Sequence, residues 1–266
     1  MTRKDTFLTQ EFAPDPSLHF YVTNITYREN IQKNTCVRMP FFADGNPGIV
    51  YHQADNGLML LPGNKQLSPF FLYGQTLAPI ELSLRGPFKL LIFQLSPSVP
   101  ARLFGLTPKT INDDCYDLVP HQAVKTSGLL QQLVRSSPQT QVNMIATFLN
   151  NLVQQSTRKV DRSVQQAIQI VLESKGVITI RQLREELLIT ERTLERRFTA
   201  AVGISPKQFA RIVQFQSSLT HISEESHARL VDAAYIYGFA DQSHFIRAFK
   251  RFTGRTPLEH RKIVAR

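Results

Sequence analysis

One short plan occurs twice in this 266-residue chain and constrains its fold more than any other feature. From Ile180 to Gly203, and again from Leu230 to Gly254, a short segment with helical apolar spacing is followed by a turn and by a second such segment. In the stretch Glu191 to Val202, Leu194, Phe198 and Val202 recur at i, i+4 and i+8 and must be buried. That turns Arg192, Glu195 and Arg196 together onto the other side of the helix. In the stretch Gln242 to Phe252, the inner stripe is Phe245, Ala248, Phe249 and Phe252, which leaves Gln242, Ser243, His244, Arg247 and Lys250 outside. Each unit is followed by Gly and then Pro at a matching place, Gly203-Ile-Ser-Pro206 and Gly254-Arg-Thr-Pro257. Gly closes a helix in the left-handed conformation and Pro opens the next one.

A helix fits the major groove of DNA, where Arg reads guanine, Gln reads adenine and Glu accepts from cytosine. One helix with such an outer face is more simply a solvated surface. The repeat of the whole unit is what points to DNA. Charge placement agrees: residues 1–157 hold 12 Lys+Arg against 10 Asp+Glu, whereas residues 158–266 hold 19 against 11. A basic block joined to a near-neutral one is expected where one domain meets a polyanion and the other does not.

The length exceeds one ordinary domain, and two are expected: 1–157 and 158–266. The first part reads as short strands at Leu18–Tyr27, Ile49–Gln53, Leu58–Leu61, Phe70–Tyr73, Ile80–Arg85 and Lys89–Leu95, broken by Pro and Gly. Ile80-Glu-Leu-Ser-Leu-Arg85 alternates as a half-buried strand does. A small antiparallel β-barrel or sandwich follows. From His121 the spacing becomes helical, through Val124 to Val134 and Val142 to Val153, giving a helical hairpin. An exposed stripe of Val142, Phe148 and Leu149 on that hairpin would make a homodimer. Gln154 to Lys159 reads as a short connection, and seven helices follow near 161–174, 179–187, 191–202, 206–222, 230–237, 242–252 and 257–264. The fold class is therefore α+β: a β-rich first domain with a helical hairpin, then an all-α domain with two helix–turn–helix units.

The run from Ala233 to Pro257 closely resembles the second helix-turn-helix signature of the AraC/XylS family of bacterial transcription regulators. Arg192 to Phe198 and Gly203 to Phe209 are similar to its first unit and to the start of its connecting helix. The resemblance covers roughly residues 158–264. It implies two recognition helices in successive major-groove turns, bridged by a helix from Pro206 to Ile222. It implies base reading by Arg192, Glu195 and Arg196 in one unit and by Gln242, Ser243, His244 and Arg247 in the other. Thr193, Arg197, Lys207, Lys250, Arg251 and Arg255 are expected on the phosphates. Two departures stand out. Leu188 occupies a turn position where the family often has Gly, which predicts a turn built differently or less stably. Gln214 stands where a subgroup often carries Arg, which predicts one phosphate contact fewer.

Leu91 to Gly105 is similar to an uncharacterised cupin-like N-terminal domain of some of these regulators, and the β-barrel is expected to be of that cupin-like kind. In the family such a domain commonly senses a small molecule or mediates dimerisation. The expected partners are accordingly double-stranded DNA, a small-molecule effector, a second copy of the chain and RNA polymerase. The regulator is read as an activator. No cofactor, metal or catalytic residue is expected: His19, His52 and His121 lack an HxH spacing, and Cys36 and Cys115 lack ligand spacing. A reading as an enzyme fused to a DNA-binding module needs a nucleophilic thiolate, and acids surround Cys115 in Asp113-Asp-Cys-Tyr-Asp117. An architectural protein that binds DNA without reading it is the other alternative. With no long apolar run and no apolar segment after Met1-Thr-Arg-Lys-Asp, a cytoplasmic protein without a membrane span is expected.

Overall fold

The computed structural model describes residues 7–224 and 230–264. Its N-terminal half is organised around β9 (Phe88–Leu95), which pairs antiparallel with β2 (Val22–Asn30) on one side and β4 (Gly48–Ala54) on the other. With β1 (Leu8–Phe12), β7 (Phe70–Tyr73) and β10 (Cys115–Asp117) they form a six-stranded sheet in the order β1-β2-β9-β4-β7-β10. A second sheet has the order β3-β8-β5-β6, with β3 at Cys36–Phe41, β5 at Leu58–Leu61, β6 at Lys65–Leu67 and β8 at Ile80–Arg85.

Alternation along the central strands builds two cores. Val50, Phe71, Tyr73, Leu90 and Ile92 point one way, into a cluster with Leu58, Leu60, Leu82 and Leu84 of the second sheet. Ile49, Tyr51, Phe70, Leu72, Leu91 and Phe93 point the other way, into a cluster with helices. Those helices are α1 (Val99–Leu103), α2 (Gln122–Ser127), α3 (Leu129–Val134) and α4 (Pro138–Gln155). The expected closed barrel is thus corrected to two open antiparallel sheets, face to face, with helices behind the larger one. The reason lies in composition. A small barrel turns one face of every strand to solvent, whereas β4, β7 and β9 are apolar on both faces and need cover on both.

Two further expectations change. Leu18 belongs to a 3-10 turn at Pro16–Leu18, opened by Asp15 accepting from the Ser17 N–H at 2.8 Å, so the strand begins only at Val22. Val142, Phe148 and Leu149 are buried, with the Phe148 ring 6.0 Å from that of Phe70. The stripe expected to make a dimer is core.

The C-terminal half is helical: α5 (Arg162–Glu173), α6 (Ile180–Glu186), α7 (Glu191–Val202), α8 (Pro206–Glu224), α9 (Leu230–Ile236), α10 (Gln242–Thr253) and α11 (Pro257–Val264). Phe198, Phe209, Phe215, Phe245, Phe249 and Phe252 anchor its core, and burying each contributes about 2–3 kcal/mol. Phe42, Ala43 and Leu77 of the N-terminal half pack into that same cluster. Gln216 of α8 donates to the Ala43 carbonyl at 2.5 Å, and Asn112 donates to the Gly203 carbonyl at 3.0 Å. The connection is fastened too: Ser156 donates to the Arg102 carbonyl at 3.2 Å and Arg158 to that of Ala101 at 2.7 Å. The two halves share one apolar cluster and a bonded linker. No helix among the described residues is long and apolar enough to cross a membrane.

Candidate DNA-binding interface

The two units are built with the same bonds. In the first, α6 ends where Ile189 N–H donates to Arg184 carbonyl at 3.2 Å and Leu188 N–H to Glu185 at 3.3 Å. In the second, α9 ends where Phe239 N–H donates to Ala234 at 2.9 Å and Gly238 N–H to Tyr235 at 3.1 Å. Both exits pass through a left-handed residue, Leu188 at φ 52° and Gly238 at φ 68°. The expectation of a differently built first turn is therefore corrected: Leu188 adopts the glycine conformation. Its side chain is 91% exposed, so no packing offsets the strain.

The second helix of each unit is capped alike. Thr190 Oγ1 accepts from the Thr193 N–H at 3.3 Å, and Asp241 Oδ1 accepts from the His244 N–H at 2.6 Å. Gly203 (φ 89°) and Gly254 (φ 73°) close them, donating to Thr199 and Lys250 carbonyls at 2.9 and 2.8 Å. A β-carbon at Gly203 would stand 2.8 Å from the Pro108 carbonyl carbon, so this glycine also admits the N-terminal half. After it Ser205 caps α8, and Thr256 with Glu259 forms a capping box on α11. The bonds from the Thr256 backbone and hydroxyl hold the Glu259 carboxyl below its usual range.

Leu194, Phe198 and Val202 are buried in α7, as are Phe245, Phe249 and Phe252 in α10. Arg192 and Arg196 are exposed on the first helix, with Glu195 half-buried at the edge of that face. Gln242, Ser243 and Arg247 are exposed on the second. His244 is more confined: its ring stands 5.6 Å from that of Phe239, and Nδ1 accepts from the Ala240 N–H at 3.5 Å. Among the residues expected on phosphates, Arg197, Lys207, Lys250 and Arg251 are exposed and Arg255 is half-buried. Thr193 is half-buried, and its hydroxyl accepts from Thr190 at 2.9 Å within the cap.

Two groups of cations were not anticipated. Arg211 of α8 lines a cleft of about 170 Å³ with Arg247 and Arg251 of α10. Its spacing from Lys207 and Gln214, at i, i+4 and i+7, could have placed it on that face. Gln214 itself donates to the Tyr237 carbonyl at 2.5 Å and ties α8 to the second turn. Around the linker, Lys159 and Arg162 stand beside Arg196 and Arg197 in a notch at the start of α5. Elsewhere, burial and the neighbouring Asp114 push the Cys115 thiol up to about 12, so it is no thiolate at neutral pH.

Two helix–turn–helix units, each presenting a capped helix with Arg and polar side chains outward, place the C-terminal half in the helix-turn-helix class. Comparison with known proteins agrees. Residues 183–263 match a family described as a helix-turn-helix domain, and residues 10–117 match a domain of unknown function (DUF6597). Two curated relatives, the HTH-type transcriptional activator RhaS of Escherichia coli O139:H28 and that of Escherichia coli strain SE11, are each 28% identical over 78 residues. That match spans 29% of this chain and 28% of the relatives' length. Among solved structures, ToxT from Vibrio cholerae aligns over 89% of this chain and 98% of its own at 14% identity and a TM-score of 0.49. A probable AraC family regulator from Rhodopseudomonas palustris aligns over 39% of this chain and 98% of its own, at 25% identity and a TM-score of 0.36. The chain thus carries a region similar to a helix-turn-helix domain, preceded by a region similar to a domain of unknown function.

Proposed function

We propose that the chain is a sequence-specific transcription regulator, an activator, that reads two successive major-groove turns with α7 and α10. The observation that carries this reading is the duplication of cap, turn and outward-facing readers at both units. Arg192, Glu195 and Arg196 read bases from α7, and Gln242, Ser243 and Arg247 from α10. His244 does so only at the cost of its hold on the preceding turn. Arg197, Lys207, Lys250, Arg251 and Arg255 hold phosphates, joined by Arg211. The name given to the RhaS relatives supports activation, and hence RNA polymerase as a partner. The DNA-binding domain begins at residue 158, and residues 1–157 form a cytoplasmic regulator's sensing domain for a small-molecule effector. A homodimer would use a surface other than the buried Val142–Phe148–Leu149 stripe.

Selection of bound duplexes from a random pool by the full chain tests the reading. An asymmetric motif with two blocks about 10 base pairs apart is expected. Binding with steep salt dependence but no enriched motif would mean an architectural protein instead.

A further inference from the structure

A cleft of about 330 Å³ lies between α1 of the N-terminal half, the linker and the recognition helix α7. Five cations line it, Arg102, Arg158, Lys159, Arg196 and Arg197, against one carboxylate, Asp161. Asp161 is already committed: it caps α5 by accepting from the Val164 N–H at 3.3 Å and lies 3.9 Å from Arg197. Among the described residues no carboxylate pairs with Arg102, Arg158, Lys159 or Arg196. Arg102 stacks over the Tyr21 ring at 4.8 Å, and its Nε is buried without a hydrogen-bond partner. A buried guanidinium nitrogen left unsatisfied is costly and marks a place that an acceptor completes. Ala101, Val160, Val164 and Ala200 supply small or apolar surface between the cations.

We propose that this cleft binds a small organic anion, a carboxylate or a phosphate ester carrying a compact apolar group. The cations match its acid group, with Arg102 and Arg196 free of any carboxylate among the described residues. The apolar lining matches its body, and DNA phosphate has no counterpart to that lining. The occupant bridges the N-terminal half and α7, and it engages Arg196 and Arg197, which the function proposed above assigns to DNA. Anion and DNA therefore weaken each other's binding by the same factor. That last consequence rests on the proposed function. The site itself does not.

The test uses the full chain and 8-anilinonaphthalene-1-sulfonate, an apolar anion whose fluorescence rises on leaving water, with uncharged N-phenyl-1-naphthylamine as control. Saturable binding of the sulfonate is expected, weakened about tenfold by Arg102→Gln or Arg158→Gln and removed by Ala200→Leu, which fills the cleft. Thr147→Leu, in the separate groove beside α4, should leave it unchanged, and the arginine variants should leave the neutral probe unchanged. Benzoate or phenyl phosphate should displace the sulfonate, and which one does so identifies the acid group. Urea midpoints of the variants establish that each is folded. Binding insensitive to Arg102→Gln, Arg158→Gln and Ala200→Leu in folded variants, or displacement by neither acid, overturns the site. A chain that binds the sulfonate as expected but shifts no duplex would instead overturn the proposed function and leave the site standing.

Discussion

Leu188 sits at φ 52° with its side chain in water, so it bears the left-handed penalty without the burial that would compensate a leucine. Leu188→Gly should therefore raise stability by about 1 kcal/mol, seen as a higher urea midpoint with an unchanged slope. A lower midpoint would mean that the leucine makes a contact worth more than the strain. Asp44 carries a different cost. It accepts from the Asn46 N–H and from Gln94 Nε2, both at 2.9 Å, and burial still pushes its carboxyl up to about 6. The folded state thus holds a proton that the unfolded state, near 3.8, has already released. Stability from this group is full below about pH 4 and is lost as pH rises through about 6. The residue is partly accessible, so the loss stays under the ~3 kcal/mol that the whole shift would carry. Asp44→Asn should raise the thermal midpoint at pH 7.5 and change it little at pH 4. Equal effects at both pH values would contradict the assignment.

At the scale of elements, what the sequence disclosed follows from where the information lies. Helices α5 to α11 carry their own signals, Thr190 and Asp241 as caps and Gly203 and Gly254 as stops, and each sits within a residue or two of its expected place. Strands β1, β3, β6 and β10 were missed because they are short or at sheet edges and do not show the period of two; β3 even contains Pro40. The first hairpin helix breaks at Gly128 (φ 60°), which its apolar spacing did not announce. The outward side chains of α7 and α10, Arg192, Arg196, Gln242, Ser243 and Arg247, were legible because an outer helix face is fixed once its inner face is known. Arg211 and the linker cations were not, because their neighbours come from other elements. Gln214, expected only as a lost phosphate contact, joins α8 to the second turn through the Tyr237 carbonyl. Gln214→Ala should cost about 1 kcal/mol of stability, measured by urea unfolding. No change would mean that water replaces the bond fully.

For the whole molecule, the contact between halves was beyond the reach of the sequence. Phe42 and Ala43 lie just before the breakers Asp44 to Gly48 and look like loop residues, yet Ala43 is fully buried in the helical core. Because that cluster closes only when both halves are present, the full chain should unfold in a single cooperative transition, with near-UV and far-UV dichroism changing together. Two separated transitions would show that the shared cluster couples them weakly. The central claim is that one chain reads DNA with both α7 and α10. Its most direct measurement is the base-by-base binding profile of Arg196→Ala and Arg247→Ala on the selected motif, beside Lys250→Ala. Each of the first two should cost about 1–3 kcal/mol and relax preference locally, at positions about 10 base pairs apart, while Lys250→Ala weakens all sequences alike. If Arg196→Ala and Arg247→Ala leave the preference intact at every base pair, direct reading by these helices is contradicted.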